Sequence, residues 1–337
     1  MTREYRIAVI EPISSTGEEI IKILEERKFP VKEVVPLGTP RSAGRSVEFA
    51  STDLRVKMLN EESLSGVDVA FFTTDRAACH EFAPKAVLQG CTVIDCSSEF
   101  SLKDTVPLVV PEINAGLLNT HAGIIASPGS LTIQLALALY PIHKAARIKR
   151  ILVSTYQAVS ESGPKAMDEL TEQIRNLFTF REVKTEVYPR QIAFNTLPHV
   201  ESFTTSDYTN SEITLIRETK KVLGDDSIRM SATNVRVPVF YSHSESVSLE
   251  TVRKISPEEV RTMLNSIPGL VVQDDPARDL YPTALDATGR DECLVGRIRE
   301  DFSFDNGLAL WIVCDNLRKG SALNAVQILE HLVGNSL

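Results

Sequence analysis

The stretch Gly123-Ile-Ile-Ala-Ser-Pro-Gly-Ser130-Leu-Thr-Ile-Gln-Leu-Ala-Leu-Ala138-Leu139 decides how the chain is read. Gly123 to Ala126 is short and apolar, a buried strand. Ser127-Pro128-Gly129 is turn chemistry, and the apolar run that follows predicts a helix opening near Ser130. A strand passing through a tight turn into a helix N-terminus can present a nucleophile, because the first-turn N–H groups and the helix dipole stabilise a developing anion. Ser130 is either such a nucleophile or the position that one has vacated.

Upstream, Tyr5 to Ile10, Val31 to Leu37, Val67 to Thr73 and Thr92 to Cys96 read as strands. Between them Gly17 to Phe29 and Ala77 to Gln89 read as helices. Strands alternating with helices predict an α/β fold, a doubly wound, mostly parallel Rossmann-like sheet over the first 130 residues. Downstream, Lys149 to Tyr156 is a strand, Lys165 to Phe178 a helix, and Phe180 to Asp207 rich in loops. Ser227 to Phe240, Ser242 to Thr251, Leu294 to Ile298 and Leu308 to Val313 are strands with few helices between them. That pattern predicts an α+β domain with an antiparallel or mixed sheet. Arg318 to Val333 closes the chain as an amphipathic helix.

Composition narrows the function classes. The 337 residues are 43% hydrophobic and 24% charged, the usual globular range. A formal net charge of −9 argues against nucleic acid or an anionic membrane as the main partner. No apolar run reaches the roughly 18 residues of a spanning helix, and Met1-Thr-Arg-Glu-Tyr-Arg shows no signal-peptide core, so a cytoplasmic protein is expected. The five cysteines form no Cys-x-x-Cys pair, and neither a metal site nor a disulfide framework is expected.

The first strand-to-helix turn should carry a dinucleotide fingerprint, and Ile10-Glu11-Pro12-Ile13-Ser14-Ser15-Thr16-Gly17 does not. A Gly-x-x-Gly-x-x-Gly turn needs glycines at 11, 14 and 17, and only Gly17 remains. Ser14 puts a side chain where backbone would approach a pyrophosphate, and Pro12 has no N–H. A Glu11 carboxylate about 5 Å from a phosphate costs roughly 3 kcal/mol at an effective dielectric near 20, over a hundredfold in affinity. The turn reads as one kept for folding.

Val106-Pro-Leu-Val-Val-Pro-Glu112, Ser154-Thr-Tyr-Gln-Ala-Val-Ser160, Asn234-Val-Arg-Val-Pro-Val239, His243-Ser-Glu-Ser246 and Asp315-Asn-Leu-Arg-Lys-Gly320 occur in this order. As a set they resemble the aspartate-semialdehyde dehydrogenase family, from Tyr5 almost to the C-terminus. The resemblance implies a Rossmann domain over residues 1–129 and a catalytic and dimerisation domain over 130–316. A last helix over 317–337 is then expected to return to the first domain. It also implies a homodimer and NADP-dependent reduction of β-aspartyl phosphate through a cysteine thioester.

The family's functional positions carry over unevenly. Its Ala-Asn-Pro-Asn-Cys-Ser-Thr falls on Ala126 to Thr132, so the nucleophilic cysteine becomes Ser130. Its phosphate-clamping arginine falls on Ser101. Its Glu-Glu-x-Lys element falls on Ser211-Glu212-Ile213-Thr214, without the leading Glu and the Lys. A Ser-Ala-Gly-Gly loop beneath the cofactor falls on Thr73-Thr-Asp-Arg76, and a Ser-Gly-Ala-Gly turn on Ser160-Glu-Ser-Gly163. Gln157, Arg236 and His243 match the family's orienting glutamine, substrate-carboxylate arginine and acid/base histidine. Arg41-Ser42-Ala43-Gly44 matches the adenosine 2′-phosphate loop, Asn316 a late cofactor loop, and Gly17 the first turn. His243 and Arg236 equally suit a packed histidine and a buried ion pair.

Acyl-enzyme reduction needs a nucleophile that is also a good leaving group. A cysteine keeps a few per cent thiolate at neutral pH, whereas a serine depends wholly on a positioned base. Nucleophile, phosphate and cofactor positions are altered separately. The expectation is therefore a dimeric binding or scaffold protein without the parent activity, like the Usg-type paralogues, with no cofactor firmly implied beyond the family's NADP. Two alternatives stand beside it. One is an NADP-dependent oxidoreductase with an altered substrate. The other is a hydrolase in which Ser130 attacks and His243 is the base, oriented by Glu245 or another carboxylate.

Overall fold

The computed structural model describes residues 3–334; Met1, Thr2 and residues 335–337 lie outside the described residues. The chain divides into two compact units, Met1–Gly129 with Ser321–Leu337, and Ser130–Gly320.

The first unit begins with β1 (Tyr5–Ile10), α1 (Ser15–Glu26) and β2 (Val31–Gly38), followed by a hairpin of β3 (Ser46–Phe49) and β4 (Thr52–Arg55) and a short β5 (Lys57–Met58). It continues through β6 (Val69–Phe72), α2 (Arg76–Leu88), β7 (Thr92–Asp95), α3 (Pro111–Asn114) and β8 (Ile124–Ala126). Six strands pair in parallel in the order β5-β2-β1-β6-β7-β8. β1 and β6 are nearly continuous in apolar residues because helices cover both faces of such a sheet. α1 buries Ile20, Ile21, Ile23 and Leu24 on one stripe. It ends before the Phe29 expected from sequence, and Phe29 packs at the edge of the core instead.

The second unit opens with α4 (Ser130–Ala146) and β9 (Ile148–Gln157), then α5 (Pro164–Phe178), α6 (Asn210–Leu223), β10 (Arg229–Arg236) and β11 (His243–Thr251). α7 (Pro257–Leu264), β12 (Leu270–Val272), α8 (Ala284–Ala287), β13 (Cys293–Glu300) and β14 (Gly307–Cys314) complete it. The sheet order is β10-β9-β11-β14-β13-β12, with parallel pairs at both edges and antiparallel pairs between, the mixed sheet expected. α4 is apolar nearly all round and buried along its length, with Leu135, Leu139 and Ile142 packing on Ile151, Val247 and Leu310. The strand expected to reach Phe240 stops at Arg236. Pro238 cannot donate to a ladder, so the sheet ends before it.

α9 (Leu323–Gly334) belongs to the first unit, where Val326, Ile328 and Leu329 join the core of Ile20, Phe71 and Ile94. Asn324, buried within it, donates to the Val109 carbonyl at 3.0 Å and to Ser127 at 2.9 Å. Arg318–Ala322, expected as the start of this helix, is instead a π turn.

Candidate active site

In the second unit, Ser130 is the first residue of α4, at the end of the strand–turn–helix passage. It is 8% exposed, and its hydroxyl donates to Glu161 Oε2 at 3.3 Å. Glu161 lies in a short 3₁₀ turn, Val159–Ser162, that follows β9 and ends on Gly163 at φ 84°. The same Oε2 meets His243 Nε2 at 2.7 Å. His243 opens β11, is fully buried, and its Nδ1 accepts the Ala158 N–H at 3.0 Å. With Nδ1 an acceptor, Nε2 carries the proton and donates it to Glu161.

This arrangement corrects the Ser130–His243 pairing. Neither imidazole nitrogen is free to accept the Ser130 proton: one takes a backbone N–H and the other donates to the carboxylate between the two residues. Nor is Glu245 the orienting carboxylate. It faces the core side of β11, opposite Thr155 and Ile312 in register, and is fully buried. Burial pushes its carboxyl well above the usual range, offset only in part by Gln134.

Arg236 ends β10, is 4% exposed and donates from Nη1 to the Ala158 carbonyl at 2.6 Å; its buried Nε has no partner among the described residues. Ala158 thus ties both residues down, its carbonyl to Arg236 and its N–H to His243. Partial burial alone would raise the Glu161 carboxyl. The hydrogen bond from His243, the Arg236 guanidinium and the Ser130 hydroxyl outweigh that, and hold it down to about 2.

Gln157, the last residue of β9, is buried and donates from Nε2 to Thr155 Oγ1 at 3.1 Å. Thr155 in turn donates to Asn234 at 2.9 Å, so the glutamine belongs to an interior chain of polar contacts. Asn316 accepts the Ser242 N–H at 2.9 Å and bonds Ser160 at 3.1 Å, joining the start of β11 to the Glu161 turn. Glu212 closes a capping box with Thr209 at the start of α6 and accepts the Asn234 N–H at 2.9 Å. That one retained acid of the Glu-Glu-x-Lys region is spent on folding.

The first unit holds the remaining candidates. Gly17 sits where an added Cβ would lie 2.5 Å from the Glu11 carbonyl and 2.8 Å from Pro12 Cα, so only glycine fits. Its N–H donates to Ser14 Oγ at 3.1 Å, and Ser14 is the N-cap of α1. A first-turn donor that could meet a phosphate is therefore taken. Glu11 has a left-handed backbone (φ 58°), and its Oε1 accepts the Thr39 N–H at 2.6 Å. Thr39 begins the loop that carries Arg41 and Ser42. Arg41 is exposed, whereas the Ser42 side chain is turned inward, fully buried beneath Gly38. Ser101 is buried and donates to the Ser98 carbonyl at 3.2 Å. Asp75, in the loop expected beneath the cofactor, caps α2 through Ala78 N–H at 2.9 Å.

Among the described residues no group of three His, Cys, Asp or Glu is placed to hold a metal ion, and no helix is long and apolar enough to cross a membrane. Cys293 and Cys314 lie side by side with sulfurs 2.8 Å apart, both buried in the core of the second unit.

Glu161 is the residue that sequence reasoning missed as a site residue. Its signal was a charged residue in place of the first glycine of the family's Ser-Gly-Ala-Gly turn. The partners that give it meaning lie 31 and 82 residues away.

Residues 6–121 match the semialdehyde dehydrogenase NAD-binding domain, and residues 139–319 the semialdehyde dehydrogenase dimerisation domain. Aspartate-semialdehyde dehydrogenase of Aquifex aeolicus is 46% identical over 337 residues, covering 99% of each chain. The Legionella pneumophila enzyme of that name is 46% identical, covering 98% of this chain and 96% of its own. The crystal structure of aspartate semialdehyde dehydrogenase II from Vibrio cholerae superposes with a TM-score of 0.95 at 39% identity, covering 99% of this chain and 100% of that one. Matched along almost its whole length in sequence and in fold, the chain belongs to the aspartate-semialdehyde dehydrogenase family.

Proposed function

We propose that this chain is a family member of the Usg type that no longer carries out reductive dephosphorylation of an acyl phosphate, and that it works as a homodimeric binding or scaffold protein. The observation that carries this reading is the Glu161 carboxylate, which accepts hydrogen bonds from both Ser130 and His243. A serine ester is a poorer hydride acceptor than a thioester, and Ser130 has no thiolate-like reservoir at neutral pH. An anionic acyl phosphate approaching Ser130 would also meet a fixed negative charge there, whose repulsion at about 5 Å is worth roughly 3 kcal/mol. In the first unit, Glu11 opposes the cofactor's phosphates in the same way. The matched dimerisation domain supports the dimeric state.

A second reading has its own support. The relatives at 46% identity bear the name of the enzyme, and Gln157, Arg236, His243, Arg41 and Asn316 persist. It makes the chain an NADP-dependent semialdehyde dehydrogenase with an altered substrate. Two measurements on the purified protein separate the readings. Titration with NADP should give no binding at millimolar concentration, and aspartate semialdehyde with NADP and phosphate should give no NADPH absorbance. Micromolar NADP binding with turnover would establish the enzyme and overturn the proposal.

A further inference from the structure

We infer that Glu161 is an internal ligand: its carboxylate fills an oxyanion site formed by Ser130, His243 and Arg236, and the site takes a free carboxylate or phosphate only when that side chain is withdrawn. The inference deepens the reading of an altered site given above.

Three observations carry it. First, the donors converge. Ser130 Oγ–H and His243 Nε2–H come from different elements, α4 and β11, and meet on one oxygen, Glu161 Oε2. Elements far apart in sequence that aim N–H and O–H groups at one point make an anion site whatever fills it. Second, its cationic wall is only partly satisfied. Arg236 is 4% exposed, uses Nη1 on the Ala158 carbonyl and leaves the buried Nε without a partner among the described residues. A buried guanidinium N–H without an acceptor is costly, and the same guanidinium acts on the Glu161 carboxylate as a nearby positive charge.

Third, the occupant is an exposed side chain while the donors are rigid. His243 is fully buried on a strand paired on both sides. The Glu161 side chain, by contrast, keeps 40% of its surface exposed. Its own N–H makes only a long 3.4 Å bond to the Ala158 carbonyl. The turn ends on Gly163, at φ 84°, and a Cβ placed there would touch nothing within 4 Å. Val159 and Ser160 anchor the backbone of the turn, so withdrawal is a rotation of the exposed Glu161 side chain alone, which leaves Ser130, His243 and Arg236 where they are.

The test is calorimetric titration of the full chain with inorganic phosphate and, separately, with acetate. The proteins compared are the wild type, Glu161→Gly, which empties the site, and Glu161→Gln, which keeps the bulk and removes the charge. Circular dichroism and thermal melting establish that each variant is folded. Glu161→Gly should bind at least one of the two anions about a hundredfold more tightly than the wild type, with Glu161→Gln between them. Gain for phosphate alone assigns the site to phosphoryl ligands, and gain for both assigns it to oxyanions generally. Equal affinities in wild type and Glu161→Gly would overturn the inference, as would two folded variants that bind neither anion. NADPH formation by the wild type would instead overturn the functional reading and leave the affinity series standing.

Discussion

Two turns, one in each unit, carry a glutamate where an anionic ligand would be expected, and they hold it differently. Glu11 is part of the backbone framework. Its N–H bonds the Leu37 carbonyl, its carbonyl accepts the Ser14 N–H, and its carboxylate caps Thr39, all within a left-handed bend between β1 and α1. Glu161 is an exposed side chain on a short turn, holding two side chains of the site rather than the backbone. The first glutamate has become part of the fold, whereas the second is an occupant. Removing Glu11 should therefore change a turn as well as an affinity, and removing Glu161 should change a site alone.

The comparison breaks first at Glu11. Glu11→Gly should raise NADP affinity by about a hundredfold, from the charge removed near the phosphates. Its melting temperature should hardly move, because relief of a left-handed non-glycine residue and loss of the Thr39 contact are each worth about 1 kcal/mol and cancel. Unchanged NADP affinity would mean that Glu11 is not what excludes the cofactor. Gly17→Ala comes next. Its Cβ would press on backbone at 2.5 and 2.8 Å, so urea unfolding should show a loss of about 2–3 kcal/mol.

In the second unit, Asn316→Ala strands the Ser242 N–H and the Ser160 hydroxyl, and Ser242 itself sits at φ 72°. A loss of about 2 kcal/mol in urea unfolding is expected. A neutral result would return Asn316 to a ligand-facing role. The smallest effect is in acid. The Glu161 carboxyl is held at about 2 against an ordinary 4.5, so its contribution to stability is complete above pH 4.5 and is lost as the pH falls towards 2. The wild-type urea midpoint should decline over that window more steeply than that of Glu161→Gln, by a margin that solvent screening of this exposed group keeps small.

The scaffold was legible because its signals are local or periodic. β1, β6 and β7 announce a parallel sheet by short, mostly apolar runs, and Ser130 announces a helix opening by the turn before it. α6 was missed. Its sequence, Asn-Ser-Glu-Ile-Thr-Leu-Ile-Arg-Glu-Thr-Lys-Lys-Val-Leu, is rich in charge and β-branched residues, and its clearest mark is the Thr209–Glu212 capping box. The β3–β4 hairpin is short and mostly exposed, with little pattern to read. The candidate site was legible as positions but not as contacts. Ser130 and His243 were both named, and the carboxylate that separates them was not, because a single charged residue in a turn has no periodicity and its role depends on long-range closure.

Under the proposed function the site itself, and not only its missing cysteine, is closed to the parent reaction. The most direct measurement is a single-turnover experiment on Ser130→Cys with aspartate semialdehyde, NADP and phosphate, following NADPH absorbance from the first milliseconds. The restored thiol should give no burst, because Glu161 still bridges residue 130 and His243, and Glu11 still places a carboxylate in the first strand-to-helix turn. A burst of NADPH equal to the protein concentration would contradict the account.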